Sequence, residues 1–532
     1  MKIFTIFVAF FSTLYLFAQS PKLSDDFEVM VGEKYEETDG KIKLFVKYKE
    51  AVIAVNRHKD NLVIQKFNPN SLKEIERKDV EKFFKDKRAD GIIEMRRMKD
   101  NIYLFFSVWD KKNKTSILQY QKISLVDLSI TGPKDLIKQK GKIKDGFLLK
   151  TTLKEDKLLV KYSLKSEIKN EAKSFEKISV NVFNNNLDLI WKNIIEMPYS
   201  KKKMEKMCYA IDSYDNFFMI AKIYNDDSGK DEIGRKLNFF LELFKVSKES
   251  DKLVKSKIDN KNKLIEEIIL YEDINSNMII TGTTKNPDSK GFFNFTEGHS
   301  TGIFVLKLDK KGIIGNYINH DFSLEMLNKY VSKKQEAKNK KIKKDEKEKP
   351  FFRNLKIHTI VVNDDGSFLV LGEQYFKDLI ISSSGKAQYE AYHYDDIMVA
   401  KINADGSLAW MDKLLKRQWG ARKGTMSFTH MFSGEKHYLI YLDSEENLNF
   451  VDGEVPHKRW ETKGGYFTVY IIDDETGQVT KEPIFDTHNV NGVKMEHFDT
   501  NKILSLSKSE ILLEGFEGKK KDFLIKITAK SD

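Results

Sequence analysis

The sequence predicts an all-β protein whose 532 residues form a single β-propeller of eight four-stranded blades. Three observations predict this fold. A short strand pattern recurs eight times, its copies lie about 60 residues apart, and hairpin turns fill the intervals between them. Four-stranded units that repeat around a closed ring bury the apolar faces of each unit against two neighbours, which is the architecture of a propeller.

The recurring pattern consists of alternating apolar residues, a middle residue that is usually lysine, one more apolar residue and a turn-forming polar residue. The middle positions are Lys66, Lys122, Val182, Lys245, Lys307, Lys401, Ile471 and Lys526. Because the side chains of a strand alternate between two faces, a charged residue at a fixed register predicts the solvated or edge side of each blade. The interval before Lys401 is longer than the others because it contains a lysine-rich stretch.

Turn residues separate the predicted strands. Asp215-Asn216 and Asp365-Gly366 precede apolar strands, and an outer strand is predicted after several copies, for example at residues 312–318 and 407–414. Coils of a parallel β-helix are shorter than 60 residues, and two sandwiches would not give eight copies in phase. The last copy lacks a fourth strand, for which residues 27–33 are a suitable donor. Seven blades would result if the short first unit, residues 41–78, were not a blade.

One copy, residues 399–410 (VAKINADGSLAW), resembles the blade repeats of several groups of bacterial exported propellers. Lys401, Asp405, Gly406 and Trp410 match that repeat, residues 306–312 match its first half, and Trp191 matches its last position. The resemblance implies the fold and export. It implies no active site, because such repeats occur in proteins of many functions.

The N-terminus has the pattern of a secretory signal peptide over residues 1–18, followed by the propeller domain at residues 19–532. Lys2 supplies the positive charge, residues 3–17 the apolar stretch and Ala18 the small residue. The stretch is shorter than the roughly 20 residues that span a bilayer. We therefore expect an exported protein, in the periplasm, associated with the outer membrane or secreted, with no transmembrane segment in the mature chain.

The net charge of +11 is concentrated in one segment. Residues 329–349 contain ten lysines and four acidic residues, and the rest of the mature chain is nearly balanced, which argues against a nucleic-acid partner. We expect a helical or disordered insertion between blades at residues 324–350. Its exposed lysines are the candidate interaction residues: Lys333, Lys334, Lys338, Lys340, Lys341, Lys343 and Lys344.

No pattern in the sequence points to catalysis, so catalytic residues are not predicted. Three acidic segments that superficially look like calcium loops, around Asp365, Asp405 and Asp473, lie between strands at hairpin length and are predicted to be turns. The histidines lack metal-ligand spacing, although His430 and His437 could share a hairpin. Cys208 is the only cysteine, which excludes a disulfide framework. We predict no metal and no cofactor.

These observations favour a non-enzymatic scaffold of the cell envelope that binds a protein or a glycan on one propeller face. The alternative is an enzyme that acts on a polysaccharide or peptide with catalytic groups in the central channel. Several carboxylates, histidines or arginines converging there would favour the enzyme. We expect a monomer or a component of an envelope assembly.

Overall fold

The strands of the chain are long, alternating and separated by tight turns, and they assemble into eight sheets around one axis. The structure is a computed structural model. It describes residues 22–36, 43–84, 92–234, 236–286, 298–344, 351–381, 388–421, 426–448, 455–461, 464–495, 497–517 and 521–530. The predicted signal peptide, residues 1–18, lies outside the described residues.

The elements follow the chain from blade 1 to blade 8. Two strands precede the blades: β1 (Phe27–Val31) and β2 (Tyr35–Glu36). Blade 1 contains β3 (Lys43–Tyr48), β4 (Ala51–His58), β5 (Asn61–Phe67) and β6 (Glu74–Val80). Blade 2 contains β7 (Ile92–Met98), β8 (Asn101–Asp110), β9 (Thr115–Ser124) and β10 (Ile130–Lys140). Blade 3 contains β11 (Leu148–Thr151), β12 (Lys157–Ser163), β13 (Phe175–Asn184) and β14 (Leu189–Ser200).

Blades 4 and 5 carry additional short elements. Blade 4 and its inserted hairpin contain β15 (Met204–Ile211), β16 (Phe217–Tyr224), β17 (Glu232–Ile233), β18 (Lys236–Leu237), β19 (Phe239–Ser247) and β20 (Ser250–Ile258). Blade 5 contains β21 (Leu264–Glu272), β22 (Met278–Lys285), β24 (Gly302–Leu308) and β25 (Ile318–Asp321), with β23 (His299–Ser300) before β24. Between blades 5 and 6 lie helices α1 (Leu324–Asn328) and α2 (Lys333–Lys344) and strand β26 (Phe352–Arg353), which pairs with β23.

The last three blades complete the ring. Blade 6 contains β27 (Leu355–Val362), β28 (Phe368–Ile381), β29 (Gln388–Ile402) and β30 (Leu408–Leu414), extended by β31 (Gln418–Gly420). Blade 7 contains β32 (Phe428–Ser433), β33 (Lys436–Asp443), β35 (Tyr466–Asp473) and β36 (Val479–Asp486); a 3-10 helix (Glu445–Asn447) and β34 (Arg459–Trp460) follow β33. Blade 8 contains β37 (His497–Ser505), β38 (Glu510–Glu517) and β39 (Lys521–Ala529).

The eight-bladed arrangement and the predicted ring closure are confirmed. The first strands of neighbouring blades contact each other, including β3 with β37, so blade 8 meets blade 1. Strand β1 pairs antiparallel with β39 and provides the fourth strand of blade 8, with Val29 opposite Ile527. Phe27 buries its ring in the core between blades 7 and 8. The two ends of the chain therefore share one sheet.

The repeat residues lie on the third strand of every blade, as predicted, but their role as solvated edge residues is wrong for three lysines. The Lys245 ammonium donates to the Lys311 carbonyl at 2.8 Å, and the Lys307 ammonium donates to the Ala404 carbonyl at 2.8 Å. Lys401 is buried and bonds the Asp474 carboxylate at 2.7 Å. Each acceptor belongs to a turn of the next blade, so these lysines join adjacent blades.

The tryptophans of the repeat form the same kind of bond between blades. The indole of Trp410 donates to the Asp474 carbonyl at 3.0 Å, and the indole of Trp191 donates to the Asp215 carbonyl at 3.0 Å. The ring of Trp410 also covers Gly477 so closely that a Cβ there would clash. The motif that resembles other propeller repeats thus fixes the angle between neighbouring blades.

The three acidic segments that resemble calcium loops are turns. Gly366, Gly406 and Gly477 all have positive φ angles, and each donates its backbone N–H back across its turn. The carboxylates of Asp365 and Asp405 each accept a hydrogen bond from the hydroxyl group of the serine two residues later in the same turn. The fourth strand of blade 5 is shorter than predicted: β25 begins at Ile318, and the residues before it pair with β24 only through an isolated bridge between Leu308 and Ile314.

The insertion at residues 324–350 divides into two parts. In α1, Met326 and Leu327 are buried in the core between blades 5 and 6, so this part belongs to the packed structure. The predicted helical character is confirmed for α2, whose described lysines are exposed. Among the described residues, no helix is long and apolar enough to cross a membrane.

Candidate functional site

The two faces of the ring differ in the connections that they carry. In a four-stranded antiparallel blade, the turns after the first and third strands lie at one end, and the turn after the second strand and the link to the next blade lie at the other. We call these ends the turn face and the loop face. The insertion, the β17–β18 hairpin and the β23–β26 pair all lie on connections of the loop face.

A projection of the loop face arises from blade 6. Strands β28 and β29 pair beyond the end of β27, up to Ile381 opposite Gln388. Strand β31 pairs antiparallel with β29 along this projection, and β34 pairs parallel with β31. We call the sheet formed by these four strands the blade 6 extension. Its outer strand β34 comes from a loop of blade 7, so the extension spans the two blades.

A row of aromatic side chains crosses the blade 6 extension. Phe376 lies opposite His393, His393 opposite Trp419, and Trp419 opposite Trp460, so each of the four strands contributes one ring. Phe376 and His393 stack at 4.2 Å, and Trp419 and Trp460 meet edge to face at 4.3 Å. The row extends over three strand spacings, roughly 14 Å. We call these four residues the aromatic row.

The aromatic row ends in exposed rings. Trp460 is 40% exposed on the outer strand, and Tyr389, which contacts Trp419, is 42% exposed. Leu379 and Ile381 are exposed and lie three and five residues after Phe376 on β28. Because side chains alternate along a strand, Leu379 and Ile381 point to the face of the sheet opposite to Phe376. The row and the apolar tip of the hairpin are therefore separate surfaces.

A cleft of about 1050 Å³ lies beside β28 at one end of the row. Its lining includes Arg353, Lys356, Tyr375, Phe376, Asp378 and Asp395, and we call it the hairpin cleft. Burial and the neighbouring Asp396 carboxylate raise the pKa of Asp395 to about 7. One carboxylate oxygen of Asp395 is buried without a hydrogen-bond partner. Such a carboxyl group exchanges a proton near neutral pH, which is the property of a general acid or base.

A second cavity, of about 530 Å³, lies at the other end of the row, where Trp460 forms part of its wall. It is also lined by Arg459, Lys458, His457, His488, Gly464 and the residues that begin the 3-10 helix, and we call it the Arg459 cavity. Arg459 is only 2% exposed, and none of its three guanidinium nitrogens has a hydrogen-bond partner among the residues that the structure describes. Burial lowers the pKa of Arg459 to about 10, so its side chain is still charged at neutral pH.

The acidic residues at the rim of the Arg459 cavity are paired with histidines. His488 Nδ1 lies 2.8 Å from an Asp486 carboxylate oxygen and 3.2 Å from one of Glu445. His457 Nδ1 lies 3.1 Å from a Glu446 carboxylate oxygen. Glu445, Asp486 and His488 also bring three potential metal-ligating atoms within 4.8 Å of one another. The internal hydrogen bonds account for this arrangement without an ion.

The first strands of blades 2 to 4 bring charged groups together near the axis. Glu94 and Arg96 form an ion pair at 2.5 Å, and the Lys150 ammonium lies 5.2 Å from the centre of the Tyr209 ring. Burial lowers the pKa of Lys150. Charged residues of both signs thus occur near the axis, and their arrangement does not identify a catalytic group.

The predicted interaction lysines are on α2. Lys333, Lys334, Lys338, Lys340 and Lys341 are exposed, and Lys340 pairs with Glu336 at 2.6 Å. The side chains of Lys343 and Lys344 lie outside the described residues. The histidine prediction is confirmed as a contact: His430 Nε2 lies 3.1 Å from His437 Nδ1, and His437 bonds Asp474. Sequence reasoning missed the aromatic row and Arg459, whose positions depend on strands far apart in the chain.

No family model matches the sequence, and no curated protein matches it. Solved structures that are similar include the Dos1 propeller, with 10% identity over 95% of this chain and 96% of that one and a TM-score of 0.42. The β-propeller domain of the Trilobed protease from Pyrococcus furiosus has 11% identity over 84% and 97%, with a TM-score of 0.34. The polysaccharide lyase Uly1 has 10% identity over 83% and 91%, with a TM-score of 0.36.

These similarities concern the fold alone. The proteins named include a domain of a protease, a polysaccharide lyase and the Dos1 propeller. The resemblance of residues 399–410 to bacterial exported repeats stays at the level of the fold. A function has to be argued from the site itself.

Proposed function

We propose that the protein is an exported, non-enzymatic scaffold that binds a glycan across the loop face of blades 6 and 7. The aromatic row carries the proposal. Aromatic rings present a negative face to the C–H groups of a ligand, and an exposed tryptophan buries a large area with little loss of conformational freedom. A row with a cavity at each end suits an elongated ligand.

A glycan fits this surface better than a protein partner. The core of a protein interface is depleted in charged residues. Here the walls of both cavities carry carboxylates, lysines and an arginine, the Arg459 cavity also has histidines, and the aromatic rings lie between the two cavities. Sugar rings offer C–H faces to the aromatic row and hydroxyl groups to the charged side chains. The alternating apolar and polar character of the surface therefore matches a saccharide chain.

The location in the cell envelope or outside the cell rests on the N-terminal pattern, in which Lys2 is followed by a short apolar stretch and Ala18. The test is fractionation of the producing cells, followed by mass spectrometry of the mature N-terminus. We expect the chain in an exported fraction, beginning at Gln19. A full-length chain in the cytoplasm would contradict export.

The binding test is a glycan array probed with the full mature chain and two matched variants. Trp460→Ala removes the outer ring of the aromatic row. Trp109→Ala removes a partly buried tryptophan at the loop-face end of β8, on the other side of the ring. We expect W460A to weaken glycan binding at least tenfold and W109A to leave it unchanged. Equal binding by the three proteins would contradict the proposed surface.

A second candidate function follows from Asp395. Its raised pKa in the hairpin cleft suits a general acid or base, so the same glycan could also be cleaved. The test is mass spectrometry of a bound oligosaccharide after incubation with the wild-type chain and with Asp395→Asn. Cleavage that D395N abolishes would establish an enzyme. An intact oligosaccharide would support the binding scaffold.

A further inference from the structure

We propose that the ligand is an acidic glycan, and that one of its carboxylate or sulfate groups enters the Arg459 cavity and binds the guanidinium of Arg459. The inference rests on the proposed glycan binding at the aromatic row and deepens it, because it names the chemical class of the glycan. It is carried by the state of Arg459, by the free cation beside it and by the pairing of the surrounding acids.

The guanidinium of Arg459 is a buried cation that forms no hydrogen bond with any residue that the structure describes. Buried charged groups in proteins are normally paired and hydrogen-bonded, because a charge removed from water loses several kcal/mol of solvation. Asp443 and Glu461 lie near enough to favour its charged form, but neither accepts a hydrogen bond from it. Five N–H donors in a planar fork therefore have no acceptor within the described protein. An oxyanion binds such a fork with two parallel hydrogen bonds.

The wall of the cavity is closely packed at two successive glycines. A Cβ on Gly464 would clash with the His488 ring, and a Cβ on Gly465 would clash with the Asp443 carbonyl oxygen. Packing of the wall therefore requires glycine at both positions.

Lys458 adds a second positive charge on the side of the tryptophans. Its ammonium lies 5.7 Å from the centre of the Trp419 ring and 5.6 Å from that of Trp460, and it forms no hydrogen bond or ion pair with another described residue. The rim carboxylates of Glu445, Glu446 and Asp486 are instead engaged by His488 and His457. The cations that remain for a ligand are thus Lys458 and Arg459, next to the exposed ring of Trp460.

The arrangement distinguishes an acidic sugar from a neutral one. A saccharide ring packed on Trp460 lies against the Arg459 cavity, because the Trp460 side chain forms part of the wall of that cavity. A carboxylate or sulfate on that ring satisfies the guanidinium. A neutral ring leaves the buried cation without an acceptor, so it gains only the aromatic contact.

The test is binding of the full mature chain to paired oligosaccharides, measured by calorimetry. The probes are an oligogalacturonate, the same oligosaccharide with its carboxylates methyl-esterified, and a neutral glucan oligosaccharide with and without sulfate groups. The proteins are the wild type, Arg459→Met, and the matched control Arg57→Met, whose guanidinium donates to the Lys59 carbonyl in blade 1 and does not line the Arg459 cavity. The uronate and sulfate probes distinguish the two kinds of oxyanion.

We expect the wild type and R57M to bind at least one acidic probe roughly tenfold to a hundredfold more tightly than its neutral counterpart. R459M should bind both members of the pair as weakly as the wild type binds the neutral one. Its retained binding of the neutral probe shows that the fold and the aromatic row are intact. If R459M does not fold, Arg459→Lys, which keeps the positive charge but lacks the planar fork of donors, replaces it and should lose most of the acidic preference.

Equal affinity of the wild type for acidic and neutral members of each pair would overturn the acidic-glycan inference and leave glycan binding standing. An acidic preference that survives in R459M would overturn the role of Arg459. Binding of no oligosaccharide on the array, together with capture of an envelope protein that depends on Leu379 and Ile381, would overturn the glycan proposal and this inference with it.

Discussion

At the scale of single residues, the most informative side chains are the cations of the repeat. Lys66 and Lys401 occupy the same register in different blades, yet Lys401 is buried against Asp474 of the next blade. The ammonium of Lys66 instead lies 3.8 Å from Glu76 in the same blade and is partly exposed. Identical positions in the repeat therefore contribute differently to stability, according to what the neighbouring blade places opposite them.

The first prediction compares these two lysines. Lys401→Met leaves the partly buried Asp474 without its strongest partner and breaks the link between blades 6 and 7, so we expect a loss of about 1–3 kcal/mol in the free energy of unfolding. Lys66→Met removes only an exposed pair and should change it by less than about 0.5 kcal/mol. Urea denaturation measures both. Equal losses would show that the bond between blades adds nothing.

The second prediction concerns His430. Burial and the neighbouring His437 lower the pKa of His430 to about 3, below its ordinary value of 6.5. The folded state therefore binds this proton less readily than the unfolded state, so the stability that neutral His430 contributes is complete above about pH 6.5 and declines as the pH falls toward about 3. His430→Leu should make the urea midpoint fall less steeply between about pH 7 and about pH 4. Parallel pH profiles of wild type and H430L would contradict this.

At the scale of elements, the architecture could be predicted because its signals are local. Alternation and turn residues are visible within single hairpins, and the copies that contain Lys245, Lys307 and Lys401 repeat the same local pattern from blade to blade. The closure by β1 followed from counting strands. The site could not be predicted in this way, because β31 and β34 form a parallel pair between residues 418–419 and 459–460, across the first two strands of blade 7. The residues near Arg459 in the sequence do not indicate that its side chain is buried.

The third prediction tests the ring closure. Deleting residues 22–36 removes β1, exposes the edge of β39 and takes Phe27 out of the core between blades 7 and 8. We expect the melting temperature to fall by several degrees. A synthetic peptide of residues 22–36 should restore it when added in excess. An unchanged melting curve for the deletion variant would show that β1 does not stabilise the ring.

The fourth prediction separates the two helices of the insertion. Removing residues 336–349 takes away most of α2, whose described lysines are exposed, and should change the free energy of unfolding by no more than about 1 kcal/mol. Met326→Ala in α1 leaves a cavity between blades 5 and 6 and should cost about 2–4 kcal/mol. A cooperative loss of folding on deletion of α2 would show that this helix is part of the packed structure.

At the scale of the whole molecule, the ring presents two unequal faces. Short glycine-containing turns, such as those at Gly366 and Gly406, occupy the turn face, whereas the long connections and the blade 6 extension occupy the loop face. The aromatic row, the hairpin cleft and the Arg459 cavity all belong to the loop face of blades 6 and 7. A rigid ring with one elaborated sector suits a protein that binds an elongated ligand at one place on its rim.

Hydrogen–deuterium exchange with and without the tightest-binding oligosaccharide from the array tests the central claim most directly. We predict slower exchange in residues 374–395, 418–421 and 455–465, which contain the blade 6 extension and the Arg459 cavity. Residues 111–114 and 225–238, on the loop face of blades 2 and 4, should exchange at the same rate in both states. Protection confined to the turn face, or to the loop face of blades 1 to 4, would contradict the assignment of the binding surface.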